Sequence, residues 1–267
     1  MKTTELKPIN NATRHTILQN KNLLIKNNKM FKSINFAFQK AYGRETTTGH
    51  ITAWHKQRGA KSLYKKQVTN KKEIKSVIIG INYNPNTSGL ASLGFNLVTK
   101  KFFNDLHIKN TYPGSFITRT KDTNELRNGY RAKIKNIPAG TLLSNISFPD
   151  KNHGQYAKSA GTFGQLIQKD FTIAKVKLPS NKIIQIPVTG FATIGVISNE
   201  FYRNVVIGKA GRNRNLGRRP IVRGIAMNPV DHPHGGRTNG GQPSSTPWGL
   251  PTKSGFKLKK RSYKLKS

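Results

Sequence analysis

The chain has 267 residues, enough for one large domain or two small ones, and it carries 47 Lys and Arg against 10 Asp and Glu. The formal net charge of +37 opposes compaction unless a polyanion neutralises it, so the expected partner is nucleic acid or an anionic membrane. The chain contains no cysteine, which excludes disulfides, Cys-based zinc sites and thiol catalysis.

Neither a membrane span nor a secretory signal is expected. Apolar runs such as 77–81 are far shorter than the roughly 20 residues that a spanning helix needs. The first 42 residues are rich in Lys and Asn and contain no continuous hydrophobic segment. We therefore expect a soluble intracellular protein whose partner is nucleic acid.

Residues 1–54 show small apolar clusters without sustained periodicity, which predicts an extended arm that orders on a partner. The segment 43–66, GRETTTGHITAWHKQRGAKSLYKK, interleaves basic side chains with aromatic rings. Nucleic-acid surfaces need both, because cations bind phosphates and flat rings stack on bases. The alternative is a solvated basic loop. The predicted contacts here are Arg44, His50, Trp54, His55, Lys56, Arg58, Lys61 and Lys65.

From about residue 71 the pattern predicts strands. Residues 77–83 and 91–97 alternate with period two around the turn sequence NPNTSG, which indicates a hairpin. Short strands at this spacing are typical of small sandwiches or barrels, and NIPAG at 136–140 is the expected seam between two of them. The remaining predicted strands, each bounded by turn residues, are 115–118, 142–148, 163–168, 171–178, 183–188 and 191–197.

After about Glu200 the strand pattern ends. Residues 201–267 contain one acid, Asp231, against 15 Lys and Arg, so we expect a tail that folds on a polyanion. Seven of these basic residues lie in 253–266, where a membrane-surface helix is the alternative. The segment GRNRNLGRRPIVRG, 211–224, carries arginines suited to bidentate phosphate contacts: Arg212, Arg214, Arg218, Arg219 and Arg223.

Motifs for nucleotide hydrolysis and acid–base catalysis are weak. Gly190 and Gly195 have the spacing of a phosphate-binding loop, but Val196 and Ile197 follow where Lys and Ser or Thr are required. The 10 acids are scattered along the chain and leave few candidates for paired carboxylates or metal ligands.

The segment MNPVDHPHGG, 227–236, is the one constellation with potential for chemistry. In an extended strand His232 and His234 would point to the same side, so a zinc site that uses them with Asp231 is one alternative. The two prolines fix φ and the glycines permit close approach, which suits a chain that follows an irregular surface. Imidazoles also stack on bases and hydrogen-bond phosphates. We favour RNA contact, with catalysis, metal binding or a purely structural role as alternatives.

Several motifs occur in the order found in a known family. They are GRETTTGHITAWHKQRGAKSLYK, INYNPNTSGLASL, NIPAGTLLSNISF, GQYAKSAGTFGQL, GKAGRNRNLGRRPIVRGIAMNPVDHPHGG and TPWGLPTKSG. Together they resemble the universal large-subunit ribosomal protein two family from about Gly43 to about Lys260. The RGIAMNPVDHPHGG segment with TPWG downstream is highly specific.

The resemblance implies a mainly β chain with an OB-like barrel at 55–131 and an SH3-like barrel at 132–203. Extensions at 1–54 and 204–267 would reach into rRNA. It also implies that His232 lies near the peptidyl transferase centre in an architectural role, because the reaction centre is RNA. No enzyme activity, catalytic residue or bound metal is expected. The shared motifs complete the predicted rRNA-binding set with Lys158, Lys209, Asn228, His232, His234, Arg237, Trp248 and Lys253.

The implied partners are large-subunit rRNA, neighbouring large-subunit proteins and the small subunit across an intersubunit bridge, with no DNA and no membrane. No cofactor is implied beyond Mg²⁺ associated with the rRNA. These contacts would support subunit assembly, subunit association, tRNA binding and translation. The competing interpretations are an RNA- or peptidyl-tRNA-directed enzyme that uses His232 and His234, and a free OB-type single-strand-binding protein.

The source compartment is indicated by two departures. After HPHGG the chain reads RTNGGQPSS, which is similar to mitochondrial and α-proteobacterial members and unlike many bacterial and plastid ones. The first 42 residues match no family motif, and the 26 Asn with abundant Lys and Ile indicate an AT-rich genome. We expect a mitochondrial ribosome in the matrix, with a plastid or bacterial cytoplasm as the alternative.

Overall fold

The computed structural model describes residues 3–25, 31, 34–38, 42–67, 74–119, 126–151, 153–236 and 243–252. Within these ranges strands dominate, which confirms the predicted mainly β fold. The chain divides into two compact units. The larger unit comprises 1–41 and 58–217, and the smaller comprises 42–57 and 218–267.

The larger unit holds every strand that the described residues form. In chain order the strands are β1 (Thr3–Glu5), β2 (Ile17–Gln19), β3 (Asn35–Phe38), β4 (Ser62–Lys65), β5 (Ile74–Asn82), β6 (Ala91–Asn96), β7 (Phe102–Leu106), β8 (Phe116–Arg119), β9 (Arg131–Lys133), β10 (Leu142–Ser147), β11 (Gly164–Lys169), β12 (Ile173–Lys177), β13 (Ile183–Pro187) and β14 (Phe191–Ile194). The α-helix α1 covers Ala210–Asn215, and 3-10 turns cover Ile134–Asn136, Glu200–Asn204 and Gly224–Ala226.

Ten strands form one sheet in the order β13-β12-β11-β10-β14-β9-β8-β5-β6-β7. Neighbours are antiparallel except β8 and β9, which meet in parallel where Arg119 pairs with Arg131. That pairing joins a first half, β5 to β8, to a second half, β9 to β14. The register shifts in β5 between Ile78 and Gly80 and in β11 between Leu166 and Gln168, and such bulges bend a strand locally.

The predicted hairpin is confirmed, since β5 and β6 pair in antiparallel register with Ile81 opposite Ser92. The other predicted strands correspond to β8 and to β10 through β14. Sequence patterns missed β7 and β9, because FFNDL contains two turn-type residues and RAK is short and basic. NIPAG lies inside the second half and not at a seam, because Ile134 and Ile137 are both fully buried in its core.

The second half has the main hydrophobic core. Buried positions alternate along β11 and β12, as period two requires, whereas β10 and β14 are buried at successive positions. Burying each large aliphatic side chain is worth roughly 1.5–3 kcal/mol. The largest of these buried side chains are Leu143, Ile146, Leu166, Val176 and Ile186.

Buried charges lie where the two halves of the sheet meet. Arg119 and Asp105 form an ion pair whose side chains are only 5% and 13% exposed. Arg131 donates hydrogen bonds to the Asn145 carbonyl at 2.8 Å and to the Thr193 hydroxyl at 2.9 Å. Burial, with the nearby Arg119, lowers the pKa of Arg131 to about 9, so its guanidinium stays charged at neutral pH. The sheet is therefore joined by charged groups that need their partners.

His107, which directly follows β7, is another buried polar residue. Its Nε2 atom lies 3.1 Å from the Thr111 carbonyl oxygen, and the residue is 5% exposed. Burial lowers the pKa of His107 to about 4, although the Thr111 hydrogen bond acts in the opposite direction. The imidazole is therefore neutral at pH 7.

Part of the predicted N-terminal arm has regular structure. β1 pairs with β2, and Thr16 between them is 1% exposed. Ile17 forms an antiparallel bridge with Val206, so this segment packs on the end of the larger unit. β3 likewise pairs with β4. Strands of three or four residues are too short to produce a recognisable periodicity. No helix in the described ranges is long and apolar enough to cross a membrane.

Protonation of His107 should destabilise the fold. The pKa of His107 in the folded state lies below the unfolded value of 6.5. Its contribution to the free energy of unfolding is therefore fully present above pH 6.5 and decreases as the pH falls below that value. Between about pH 6.5 and pH 5 we expect a loss of about 2 kcal/mol, measured by urea unfolding. His107→Gln should flatten this dependence. An equal pH dependence in wild type and variant would contradict it.

Removing Asp105 should be costly because the buried Arg119 then loses its carboxylate partner. We expect Asp105→Ala to lower the free energy of unfolding by about 3–5 kcal/mol. The matched control is Glu200→Ala, which breaks the Lys109–Glu200 pair whose side chains are 47% and 40% exposed. That change should cost less than about 1 kcal/mol. An equal decrease in the free energy of unfolding for the two variants would show that the buried pair contributes no more to stability than the exposed pair.

Candidate RNA-binding surface

The smaller unit has almost no interior. Among its described residues, 42–57, 218–236 and 243–252, His232 is the only buried one. Large apolar side chains are instead exposed, with Val230 at 90%, Ile221 at 76% and Trp248 at 69%. The described residues of this unit thus form no hydrophobic core that would offset their conformational entropy.

The two basic segments predicted to bind RNA are paired within this unit. Lys56 forms an antiparallel bridge with Arg218, and the Arg219 N–H donates to the His55 carbonyl at 3.1 Å. The His55 Nδ1 atom lies 3.2 Å from the Pro220 carbonyl oxygen. Lys56, Arg218 and Arg219 are all exposed, so residues far apart in sequence present one cationic surface.

The loop before this pairing is held by its own hydrogen bonds. Arg44 donates to the Gly49 carbonyl at 2.9 Å, and both Arg44 and His50 are exposed or half-buried on the surface of the unit. The indole rings of Trp54 and Trp248 meet edge to face with centroids 6.1 Å apart. Trp54 is 47% exposed, so the two rings remain accessible to flat partners.

The larger unit carries the other predicted residues. Lys209, Arg214, Arg58 and Lys61 are exposed, and Lys158 is half-buried. The Arg212 guanidinium at the start of α1 donates to the Ile207 carbonyl at 2.6 Å. The Ala60 N–H donates to the Asn215 carbonyl at 2.9 Å, which holds residues near Arg58 and Lys61 beside the arginines of α1.

Lys65 differs from the rest of the predicted set. It is 4% exposed on β4, and burial lowers the pKa of its ammonium group. No local pattern indicates this burial, because its neighbours Tyr64 and Lys66 look like a solvated basic run. Arg237 and Lys253 lie outside the described residues.

The HPHGG segment folds as consecutive turns. The Asn228 carbonyl accepts the N–H groups of Asp231 and His232, and the His232 carbonyl accepts the Gly235 N–H at 2.8 Å. The His234 N–H donates to the Nδ1 atom of His232 at 3.0 Å. The ring of His232 is thus fixed by its own loop, with the proton of the neutral ring on Nε2.

Two glycines make this loop compact. A Cβ on Gly224 would lie 2.6 Å from the His232 ring, and one on Gly235 would overlap the Asn228 carbonyl oxygen. Both positions therefore exclude side chains, as the glycine-rich sequence predicted for the second. The sequence did not predict that Gly224 contacts the His232 ring, because RGIAM contains no motif that indicates this contact.

His234 packs against a segment beyond its own loop. Its Nε2 atom lies 2.9 Å from the Pro243 carbonyl oxygen and 3.2 Å from the Ser245 amide nitrogen, so one tautomer satisfies only one of them. The two imidazoles have centroids 4.6 Å apart. In the described part of the chain no three His, Asp or Glu side chains are grouped to hold a metal ion.

Known proteins resemble this chain over most of its length. Residues 127–249 match the family model described as Ribosomal Proteins L2, C-terminal domain. The large ribosomal subunit protein uL2 of Rickettsia massiliae (strain Mtu5) is 39% identical over 251 residues, which cover 92% of this chain and 90% of that protein. The uL2 protein of Rickettsia canadensis (strain McKiel) is 41% identical over 228 residues, covering 84% and 82%.

The family model spans the arginine-rich segment and the HPHGG loop, and the Rickettsia proteins match most of the chain. At this identity and coverage they agree with the resemblance carried by the sequence motifs. The chain belongs to the uL2 family of large ribosomal subunit proteins.

Proposed function

We propose that this protein is a structural constituent of the large ribosomal subunit that binds rRNA and other large-subunit proteins. The main observation behind the proposal is the smaller unit, whose described residues include exposed cations and exposed aromatic rings but form no hydrophobic core. RNA supplies what this unit lacks, since phosphates neutralise its charge and bases cover its apolar side chains.

The barrels at 55–131 and 132–203 would dock on folded rRNA, with 1–54 and 204–267 as extensions. Apart from Asn228, the predicted contacts from Arg44 to Lys253 are cations for phosphates and rings for bases. The exposed positions of Lys56, Arg218 and Arg219 support phosphate contact. Lys158 is half-buried and Lys65 is buried, so either RNA must enter the protein surface to reach them or they have another role.

An enzymatic role for His232 and His234 is the competing function. A general base needs access to a substrate, yet His232 is 8% exposed and its Nδ1 atom accepts the His234 N–H. The uL2 family is one of structural ribosomal constituents. We therefore assign His232 an architectural role, in which it shapes the loop that approaches the peptidyl transferase centre.

The finer assignments are contact with the small subunit across a bridge, support of tRNA binding, and a mitochondrial ribosome. The sequence after HPHGG and the Asn, Lys and Ile bias support a mitochondrial source. Because the similar proteins are bacterial, a ribosome in a bacterial cytoplasm is the alternative location. Locating the gene in mitochondrial DNA or in a bacterial chromosome decides between them.

Affinity for rRNA should depend steeply on salt because counterion release drives it. We expect Arg218→Gln with Arg219→Gln to reduce the slope of log K against log salt by about 0.9 for each phosphate that the variant no longer neutralises. The measurement is filter binding of the full chain to a large-subunit rRNA fragment. The matched control is Lys177→Gln with Lys182→Gln, two exposed lysines of the second half. Equal slopes for both double variants would contradict a localised site.

Large subunits that carry His232→Ala should assemble or associate poorly before peptide-bond formation suffers. Gly224→Ala should produce the same defect, because its Cβ displaces the His232 ring while the imidazole remains present. Sucrose-gradient profiles and a peptidyl transfer assay on intact subunits measure the two effects. Normal assembly with peptidyl transfer abolished only in His232→Ala would overturn the architectural role.

A further inference from the structure

Two cavities open side by side on the larger unit, away from the HPHGG loop in sequence. The first, of about 730 Å³, lies between the N-terminal segment and β4, and the second, of about 570 Å³, extends from there to α1. Lys21, Asn22 and Tyr83 line both. These volumes are in the range of ligand pockets, which is roughly 300–1,000 Å³.

The first cavity has a positively charged lining. Lys21, Lys61 and Lys65 line it, and no Asp or Glu is among the described residues of its wall. Lys65 is 4% exposed, and in the described part of the chain no carboxylate or hydrogen-bond acceptor is paired with its ammonium. Burial of the residue disfavours the charged form of its ammonium, so an anionic ligand that enters the cavity would stabilise that form.

The shared wall offers an aromatic surface. The Lys21 ammonium lies 5.0 Å from the centroid of the Tyr83 ring, and Tyr83 is 38% exposed. Tyr202, 43% exposed, lines the second cavity together with Arg212. Proteins bind single-stranded nucleic acids with cations and accessible aromatic rings placed side by side. The cations bind the phosphates, and the bases stack on the rings.

The N-terminal segment forms one wall of the first cavity. The Ile25 N–H donates to the Ile81 carbonyl at 2.9 Å, and Leu24 bridges Ile81 in parallel. Leu24 and Ile25 therefore lie along β5 and complete a wall that also includes Leu63. The sequence of the N-terminal segment did not indicate this position in a cavity wall.

We propose that the two cavities form a groove for an unpaired, single-stranded stretch of RNA, with a phosphate at Lys65 and bases against Tyr83 and Tyr202. The assignment rests on the proposed function, because rRNA supplies the strand. Lys21, Tyr83 and Tyr202 are outside the set of contacts predicted from sequence. A single strand fits the proposal better than a duplex, because the bases of a duplex are stacked and paired and cannot reach the rings of Tyr83 and Tyr202 separately.

Binding of the full chain to a ten-nucleotide single-stranded RNA tests the groove by fluorescence anisotropy. Lys65→Met keeps the side-chain length and removes the charge, and it should reduce the salt slope by about 0.7, the value for one single-strand phosphate contact. Tyr83→Leu should weaken binding at least about fivefold, whereas Tyr83→Phe keeps the ring and should stay within about twofold of wild type.

Lys177→Met is the matched control, because Lys177 is exposed on β12 and its replacement removes the same charge. If this variant lowers affinity and slope as much as Lys65→Met does, binding is non-specific and the groove is refuted. A duplex of equal length should not distinguish Lys65→Met from wild type. Inorganic phosphate binding that depends on Lys65, with RNA affinity unchanged in Lys65→Met, would show a free-anion site and also overturn the proposal.

Ultraviolet crosslinking of intact large subunits separates this inference from the proposed function. We expect an rRNA adduct on the peptide that contains Tyr83, identified by mass spectrometry. Adducts confined to other segments such as 211–236 would refute the groove and leave the ribosomal role intact. A chain absent from large subunits would refute both.

Discussion

Mutual repulsion among its cations limits how this chain can fold. A net charge of +37 must be held together either by a hydrophobic core or by a polyanion. The larger unit uses the first solution, with fully buried aliphatic residues such as Leu143 and Ile146. The smaller unit has only His232 buried among its described residues, so under the proposed function it relies on the second.

The buried charges of the larger unit follow a different logic. Asp105, Arg119 and Arg131 lie where β8 and β9 join the halves of the sheet. Asp105 pairs with Arg119, and Arg131 donates to the Asn145 carbonyl and the Thr193 hydroxyl. Such pairs add little net stability compared with apolar residues, but breaking them leaves an unpaired charge in the interior. They therefore fix how the two halves meet more than they strengthen either half.

Lys65 departs from both patterns, because it is buried like Arg131 but has no acidic partner in the described part of the chain. The cavity it lines is open and is bordered by other cations. His232 shows the reverse arrangement, since a residue expected to contact RNA directly is enclosed by its own loop above Gly224. In both cases the residue type was recognisable, and its accessibility was not.

Local sequence was sufficient to predict the class of partner, the mainly β fold, the hairpin around NPNTSG and the family. Composition, period-two alternation and contiguous motifs are local properties of the chain, so they can be read without a structure. Three features emerged only from the folded chain: which basic residues are exposed, that β9 is a strand despite its basic sequence, and that the N-terminal segment walls a cavity. These depend on contacts between residues far apart in sequence, such as Ile25 with Ile81 and Arg119 with Arg131, which no local pattern encodes.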